Sequence, residues 1–236
     1  MTNALAYINL LMLAKANHSV KLYLQGESNM GLFKKFINQT RKPEGFLGKM
    51  MVNGMNGGHA KMADWGMSYL PRFSPEEIVD IGCGGGRNAG ELVKKYTNSH
   101  VMAIDYSEVS VKKATAYNKS WIDKGRMMVT QGDVSRLRIP AGKFDLATAF
   151  ETIYFWPGLA QCFSEVYRVL KPGGKFLIVN ESDGTDEASL KYQKIIDGMR
   201  CYTVYEIESA LKEAGFSDVQ INHHDEKAWI SVVATK

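Results

Sequence analysis

The stretch IVDIGCGGGRNAGEL, residues 78–92, decides the fold. An apolar run, predicted to be a β-strand, ends in the carboxylate Asp80, and four of the six residues after Asp80 are glycine. Glycine lets the backbone turn tightly and lets a ligand approach where a Cβ atom would otherwise stand. A helix is predicted from about Arg87, and its free N–H groups point at the same place. The stretch therefore predicts a site for a nucleotide-like ligand at a strand-to-helix turn.

Apolar runs alternate with helical patterns from residue 76 onward. The predicted strands are EIVDIG, HVMAID, RMMVTQGD, FDLATAF and KFLIVN, and the predicted helices are GRNAGELVKKYT, SEVSVKKATAYNKSWID, LAQCFSEVYRVL and EIESALKEAGF. Continuous apolar strands separated by helices are typical of a parallel sheet covered on both faces, and right-handed crossovers make such a sheet doubly wound. DVQINHH and AWISVVATK, joined by a short polar turn, predict an antiparallel hairpin. The predicted fold is therefore α/β, a doubly wound, seven-stranded, mostly parallel sheet with an antiparallel terminal strand.

Two segments precede this pattern. Residues 1–29 combine an amphipathic helical run with a polar link and are predicted to form an N-terminal arm or extension. Residues 30–70 are helical in character, broken by glycine and rich in methionine, which predicts a helical cap or lid. Core packing of a small helical layer is the alternative, because methionine fills irregular gaps. Residues 71–236 form the predicted main domain, with an insertion near 182–204 that would add to the cap.

Composition narrows the classes of partner and compartment. The net charge of +4 is mild and the lysines are scattered, which argues against nucleic acid as a partner. Cys83, Cys162 and Cys201 are odd in number and far apart, so they predict neither a disulfide framework nor a zinc site, and a reducing cytoplasm is the simplest location. The most apolar N-terminal run is too short to span a membrane, so no membrane partner is predicted. The composition leaves open whether the chain forms a homodimer.

Two cofactors compete for the glycine loop. GGGRNA, residues 84–89, fits the dinucleotide pattern Gly-x-Gly-x-x-Gly/Ala, and Asp105 follows about twenty residues later, which would suit an NAD(P)-dependent oxidoreductase. Asp80 argues against that reading, because a carboxylate beside the phosphate site repels a pyrophosphate. A ligand with positive charge suits it better, and S-adenosylmethionine has an ammonium, a sulfonium and no phosphate. Asp105 would bind the ribose hydroxyls of either cofactor, and each acid alone could instead cap a turn.

Several motifs in order resemble one family. VDIGCGGG is similar to the first motif of the class I S-adenosylmethionine-dependent methyltransferases, and AIDYS resembles the second. QGDV, the turn RVLKPGGKF and the closing LKEAGF before a strand pair also match that family's pattern. The resemblance covers roughly residues 70–236. It implies S-adenosylmethionine as cofactor, S-adenosylhomocysteine as product, and methyl transfer as the reaction. A catalytically silent cofactor-binding subunit is the alternative that is not an enzyme.

The resemblance also implies which residues bind the cofactor. Asp80 would lie by the methionine moiety and its amino group, Asp105 would bind the ribose hydroxyls, and Asp133 would contact the adenine amino group. The full set of implied cofactor-binding residues is Asp80, Gly82, Cys83, Gly84, Gly86, Asn88, Asp105, Tyr106, Ser107, Gly132, Asp133, Val134 and Glu151.

The acceptor end is expected at ETIYFW, residues 151–156, after the fourth strand. This segment lacks the Asn/Asp-Pro-Pro-Tyr pattern of methyltransferases that act on DNA bases or protein glutamine, so a small-molecule acceptor is predicted. Tyr154, with Phe155 and Trp156, would wall an apolar or aromatic pocket unless the three rings only pack under the cap. Glu151 would contact the methionine end of the cofactor or act as a base.

His59, in NGGHA, is the histidine best suited to act as a base, because its unperturbed pKa is near neutral. A helix-capping or packing role is the alternative for it. The predicted catalytic residues are therefore His59, Tyr154 and Glu151. No spacing of histidine and acids in the sequence names a metal site, so no metal is predicted.

Overall fold

The computed structural model describes residues 59–236, so the predicted arm and most of the predicted lid, including its glycines at 54, 57 and 58, lie outside the described residues. The strands are β1 (Glu77–Ile81), β2 (His100–Asp105), β3 (Met127–Gln131), β4 (Phe144–Phe150), β5 (Leu170–Asn180), β6 (Ser217–His223) and β7 (Ile230–Thr235). The helices are α1 (Ala60–Met67), α2 (Arg87–Lys95), α3 (Glu108–Tyr117), α4 (Lys119–Asp123), α5 (Leu159–Val169), α6 (Glu187–Gln193) and α7 (Val204–Glu213), with 3₁₀ turns at Val134–Arg136 and Ile153–Phe155. Within this part of the chain, no helix is both long and apolar enough to cross a lipid bilayer.

The seven strands form one sheet in the order β3-β2-β1-β4-β5-β7-β6. Strands β1 to β5 pair in parallel, and β7 runs antiparallel to both β5 and β6. The predicted doubly wound sheet with its antiparallel terminal strand is confirmed. The strand order reverses between β1 and β4, and in open α/β sheets the carboxyl edge at such a reversal is where ligands bind.

The core lies on both faces of the sheet, as the continuous apolar strands predict. One face is covered by α5 and α7, and its centre is an aromatic group of Trp156, Phe163 and Phe176. The centroids of these three rings lie 5.5, 5.9 and 6.3 Å apart. The rigid apolar centre fixes the carboxyl edge of β4 and β5, where the candidate site lies.

Helix α1 packs on the opposite face, against β5 and β7. Gly66 lets it approach closely, because a Cβ atom there would overlap the side chain of Val179 on β5. The Oγ of Ser231 donates a hydrogen bond to the carbonyl oxygen of Gly66 at 3.1 Å. Arg87 at the start of α2 donates to the Asp64 carboxylate at 2.8 Å. These contacts hold His59, the residue before α1, over the carboxyl edge of the sheet.

The structure divides one predicted helix in two. The run SEVSVKKATAYNKSWID was predicted as a single helix, but α3 ends at Tyr117 and α4 begins at Lys119. Asn118 between them is buried, and its Nδ2 donates to the carbonyl oxygens of Ala114 at 3.1 Å and Gly86 at 2.8 Å. Asparagine competes with helical hydrogen bonding in this way, so the helix breaks where the side chain turns toward the loop.

The segment predicted as a cap insertion, residues 182–204, contains α6. The backbone N–H of Ser182 at its start donates to the hydroxyl of Tyr154 at 3.1 Å. The end of the segment is fixed by a capping box at α7, in which Thr203 and Glu206 satisfy each other's backbone N–H groups. The division of the chain into arm, lid and main domain stays a prediction.

We expect Gly66→Ala to destabilise the protein by about 1–2 kcal/mol. The new methyl group would overlap both methyl groups of Val179, so the overpacking cost lies in the upper part of its usual range, about 2–3 kcal/mol, and the better helix propensity of alanine offsets about 1 kcal/mol of it. Urea unfolding measures the change, with Lys61→Ala, an exposed change on the same helix, as the control. Equal midpoints for both variants and the parent protein would contradict this account of the packing of α1.

Candidate functional site

The glycine loop after β1 is built from left-handed backbone. The φ angles of Gly82, Gly84 and Gly86 are 75°, 52° and 81°, values that residues with a Cβ atom rarely adopt. The N–H groups of Gly82 and Cys83 both donate to the carbonyl oxygen of Ile104, at 2.7 and 2.9 Å. The loop is therefore fixed to the end of the neighbouring strand β2.

Helix α3 supports the loop from behind. A Cβ atom on Gly86 would lie 2.9 Å from the Cα atom of Ala114, so only glycine fits there. Asn118, which donates to the Gly86 carbonyl, fills the remaining space. The residue pattern identified the loop but missed Asn118. An isolated asparagine within a helical run was the signal that could have found it.

Asp80 is 1% exposed at the carboxyl end of β1. Its Oδ1 accepts a hydrogen bond from the Oγ1 of Thr148 on β4 at 2.8 Å, and its Oδ2 has no hydrogen-bond partner among residues 59–236. The pKa of Asp80 is raised to about 7, chiefly by burial; the hydrogen bond from Thr148 lowers it and the nearby carboxylate of Asp105 raises it. A buried acid with an unused oxygen is complementary to a cationic ligand group.

Asp105 lies at the equivalent end of β2 and is 7% exposed. Its Oδ1 accepts from the N–H of Ser107 and its Oδ2 from the N–H of Gly84, both at 2.9 Å. Burial raises the pKa of this carboxyl above its ordinary value, although these hydrogen bonds lower it. A carboxylate oxygen can accept more than one hydrogen bond, so Asp105 holds the loop and keeps acceptor capacity toward a ligand.

Two adjoining cavities open along this edge of the sheet. The larger, about 290 Å³, is lined by residues that include Gly84, Asp105, Tyr106, Gly132, Asp133, Val134, Phe155 and Trp156. The smaller, about 50 Å³, is lined by residues that include His59, Asp80, Cys83, Arg87 and Asn88. Gly82, Gly84, Phe150 and Glu151 line both. The two cavities therefore form one elongated site across the ends of β1, β2 and β4.

The structure brings most of the predicted cofactor-binding residues together in these cavities. Gly86 and Ser107 line neither cavity and serve instead as the N-caps of α2 and α3. Asp133 faces the larger cavity, and its Oδ1 accepts from the N–H and the Oγ of Ser135, both at 2.8 Å. Of the predicted aromatic wall, Phe155 and Trp156 line the larger cavity, whereas Tyr154 is buried beneath it.

The predicted catalytic residues converge beside the smaller cavity. The hydroxyl of Tyr154 donates to the Oε1 of Glu151 at 3.1 Å. The Nδ1 of His59 lies 3.7 Å from the Oε2 of Glu151 and 3.5 Å from the Oε2 of Glu181. Glu181, just after β5, was not predicted, because nothing in the sequence near residue 181 marks it as facing residue 59.

Burial changes the titration of this group. It raises the pKa of both Glu151 and Glu181 to about 7 and lowers the pKa of His59. It also raises the pKa of the Tyr154 hydroxyl well above its ordinary value. Glu151 has a φ of 56°, an uncommon value for a residue with a Cβ atom, and its N–H donates to Val179. Such an outlier indicates a side chain held in place by its surroundings.

His59, Glu151 and Glu181 are also the group of described residues that could hold a metal ion, because their ligand atoms lie within 4.8 Å of one another. Imidazole and carboxylate ligands suit several divalent transition metals. The sequence spacing could not reveal this group, since its members come from three distant elements. The expectation that the protein binds no metal stays a prediction.

Comparison with known proteins gives a family match for part of the chain. Residues 79–178 match the family model described as a methyltransferase domain. A sterol 24-C-methyltransferase of Gibberella zeae is 30% identical over 161 residues, covering 64% of this chain and 41% of the relative. A sterol 24-C-methyltransferase of Saccharomyces cerevisiae is 30% identical over 165 residues, covering 64% and 43%. The chain thus spans about two fifths of the length of these curated relatives.

Solved structures show the same fold. An S-adenosylmethionine-dependent methyltransferase from Mesorhizobium loti superposes with a TM-score of 0.61 at 21% identity, covering 74% of this chain and 98% of the other. Human N-acetylserotonin methyltransferase in complex with S-adenosylmethionine superposes with a TM-score of 0.64 at 17% identity, covering 80% and 55%. Residues 79–178 therefore match a methyltransferase domain, and the chain shares the fold of these solved methyltransferases, one of which binds S-adenosylmethionine.

The residues present fit that cofactor. The unpartnered Oδ2 of Asp80 can accept from an ammonium group, and the glycine loop is open at Gly84, where a Cβ atom would meet nothing within 4 Å. The carboxylate of Asp105 can accept from ribose hydroxyls. A pyrophosphate would lie beside the acids of β1 and β2, so the same edge disfavours a dinucleotide.

We expect Asn118→Ala to lower the free energy of unfolding by about 1–3 kcal/mol, since it removes the two hydrogen bonds from this buried side chain to the carbonyl oxygens of Gly86 and Ala114, each worth about 0.5–1.5 kcal/mol. The loosened loop should also bind S-adenosylhomocysteine more weakly. Thermal and urea unfolding and calorimetry measure these effects, and Asn98→Ala, at an exposed position, is the control. A variant as stable as the parent and with equal affinity would show that α3 does not support the loop.

Proposed function

We propose that this chain transfers a methyl group from S-adenosylmethionine to a small-molecule acceptor. The observation that carries the proposal is the buried carboxylate of Asp80 beside the glycine loop, whose Oδ2 has no hydrogen-bond partner among residues 59–236, with Asp105 at the next strand end. This arrangement suits a cofactor that has an ammonium group and no phosphate. An NAD(P)-dependent oxidoreductase is disfavoured by the same carboxylate, and a catalytically silent subunit would not need the polar group at His59.

The proposed binding mode places the adenosine part in the larger cavity and the methionine part in the smaller one. Asp105 would accept from the ribose hydroxyls, Asp133 would accept from the adenine amino group, and Asp80 would accept from the ammonium. The other proposed contacts come from the loop and the strand ends, at Gly82, Cys83, Gly84, Asn88, Tyr106, Gly132, Val134 and Glu151, with Gly86 and Ser107 supporting the backbone.

The bound cofactor supplies a methyl group activated on a sulfonium sulfur. The chain's own residues then align the acceptor and exclude water, and alignment alone can lower a barrier by about 7–11 kcal/mol. Tyr154 fixes the Oε1 of Glu151 through a hydrogen bond and leaves the Oε2 on the side of His59. We propose that His59 and Glu151 contact the polar end of the acceptor, and that His59 takes its proton if it arrives protonated.

The acceptor is proposed to have an apolar body. Phe150, Phe155 and Trp156 supply an apolar lining next to the polar group, which supports a flat or hydrophobic molecule. The two curated relatives named above are sterol methyltransferases, which supports a sterol-like body as one candidate. The mild charge and the absence of a base-methylating motif support a chain without a nucleic-acid partner.

A cytoplasmic location is proposed for the chain. All three cysteines, Cys83, Cys162 and Cys201, are free and buried, which supports a reducing compartment. A lack of membrane partners and a homodimeric state are also part of the proposal. We also propose that the lid closes over the acceptor and that the arm is dispensable for cofactor binding.

Calorimetry and a transfer assay test the function. We expect S-adenosylmethionine and S-adenosylhomocysteine to bind saturably, NAD⁺ and NADP⁺ not to bind, and labelled methyl to pass to an apolar small molecule. His59→Ala and Tyr154→Phe should lower transfer at least tenfold while leaving S-adenosylhomocysteine affinity nearly unchanged, because general acid–base groups and their positioning contribute about 10²–10⁴-fold. Saturable dinucleotide binding with no response to S-adenosylmethionine would overturn the proposal.

A pH dependence should follow from Asp80. Its folded-state pKa of about 7 means that below pH 7 it holds a proton, which an ammonium group must displace. S-adenosylhomocysteine affinity should therefore fall as the pH drops from about 8 to 6, by at most about tenfold per pH unit for one proton. Glu151, which also has a pKa of about 7, lines the same smaller cavity and could produce a similar pH dependence. The Asp80→Asn variant separates the two contributions. That variant should bind more weakly at pH 8 and lose most of the dependence; an unchanged pH profile would contradict the role of Asp80.

A further inference from the structure

His59, Glu151 and Glu181 form a polar group at the proposed acceptor end, and their side chains point toward one another. The Oε1 of Glu151 accepts from the Tyr154 hydroxyl and from the backbone N–H of Glu181, so its hydrogen-bonding directions are used. The Oε2 of Glu151 and the Oε2 of Glu181 both face the Nδ1 of His59, at 3.7 and 3.5 Å. These two separations are too long for hydrogen bonds, so the facing atoms remain available to a ligand.

The charge of this group is uncompensated within the described residues. Among residues 59–236, no arginine or lysine nitrogen forms an ion pair with Glu151 or Glu181. The carboxylate of Asp186 adds further negative charge and raises the pKa of both glutamates, and Lys227 acts on Glu181 in the opposite direction from a greater distance. Two carboxylates therefore face one imidazole, and a third, Asp186, which accepts hydrogen bonds from Ser182 and Ser189, adds negative charge nearby.

The cofactor does not balance this charge. The smaller cavity contains a second unmet acceptor, the Oδ2 of Asp80, which is 1% exposed and lines the same space as His59 and Glu151. In the proposed binding mode the cofactor's ammonium satisfies Asp80. Its sulfonium would add one further positive charge, against the two glutamates. Buried carboxylates require a paired cation or a proton, and burial already favours the protonated form of Glu151 and Glu181. An acceptor that brings a positive charge would take the place of that proton and pair with the ionised carboxylates.

We infer that the acceptor carries a cationic amine at its reacting end, that Glu181 together with Glu151 binds this ammonium, and that its nitrogen is the atom methylated. The inference rests on the proposed methyl transfer and narrows the acceptor to an apolar body with an amine head. Glu181 becomes a binding residue for the acceptor, a role that the sequence motifs did not assign.

The amine reacts after losing one proton. An N–H proton of the ammonium passes to the Nδ1 of His59, and the imidazolium formed lies between the two glutamate Oε2 atoms. With S-adenosylmethionine bound, the freed lone pair on nitrogen would form the new N–C bond to the methyl carbon, while the carbon–sulfur bond would break and leave its electron pair on sulfur. The products would be an N-methylammonium, which takes over the positive charge of the sulfonium, and neutral S-adenosylhomocysteine, so atoms and charge balance without an oxidant or a reductant.

Matched pairs of ligands test the inference by binding, separately from turnover. Calorimetry on the full chain saturated with S-adenosylhomocysteine compares 2-phenylethylamine with 2-phenylethanol, and a 3β-aminosterol with its 3β-hydroxy parent. We expect each amine to bind about 10- to 100-fold more tightly than its alcohol, the range for a hydrogen bond to a charged group. Glu181→Gln should remove most of this preference without changing S-adenosylhomocysteine affinity, and Glu181→Asp should restore part of it.

The control variant is Glu187→Gln, which removes a carboxylate of the same type at a side chain 92% exposed on α6 and should leave the amine preference intact. Equal binding of amine and alcohol, with S-adenosylhomocysteine still bound, overturns the amine inference and leaves the methyltransferase proposal standing. Failure to bind S-adenosylhomocysteine overturns the proposed function itself. A rise in melting temperature with Mn²⁺ or Zn²⁺ that Glu181→Gln abolishes would assign the group to a metal ion instead and also overturn the inference.

Discussion

The buried carboxylate of Asp80 is the constraint on which the rest of the site depends. It lies where the strand order reverses. Its Oδ1 accepts a hydrogen bond from Thr148 of β4, and its Oδ2 has no hydrogen-bond partner among the described residues. A buried acid of this kind raises the free energy of the ligand-free protein, and a cation relieves that cost. The glycine loop beside it provides the open backbone through which a cation-bearing ligand can reach it.

The carboxyl edge of the sheet is also where distant segments meet. His59 precedes α1, Glu151 follows β4, and Glu181 follows β5, yet the imidazole of His59 lies within ion-pairing distance of both carboxylates. Gly66 makes this convergence possible, because close packing of α1 on the sheet carries His59 to the edge. The close packing of Gly66 on one face of the sheet thereby fixes which side chains meet at its carboxyl edge.

The strands and the glycine loop could be predicted from the sequence, and there is a physical reason why other parts of the site could not. Strand periodicity predicted all seven strands, and the glycine loop with Asp80 and Asp105 was visible because its parts are adjacent in sequence or follow successive strands. The roles of Thr148, Asn118 and Glu181 were not predicted from the sequence, because each residue acts through a contact with a partner far away along the chain. Asn118 also broke a helix that periodicity joined, since a hydrogen bond to the loop outcompeted helix continuation.

The raised carboxyl pKa values connect stability to ligand binding. Asp80 binds its proton more tightly in the folded chain, with a pKa of about 7 against an ordinary value of 3.8, so between about pH 4 and 7 the folded state holds more protons than the unfolded state. The contribution of Asp80 to the stability of the ligand-free protein therefore falls as the pH rises through this window. Cationic groups that pair with the ionised carboxylate bind only the folded state and reverse that loss. The same acids that weaken the empty site at neutral pH are thus what make it selective for positively charged ligands.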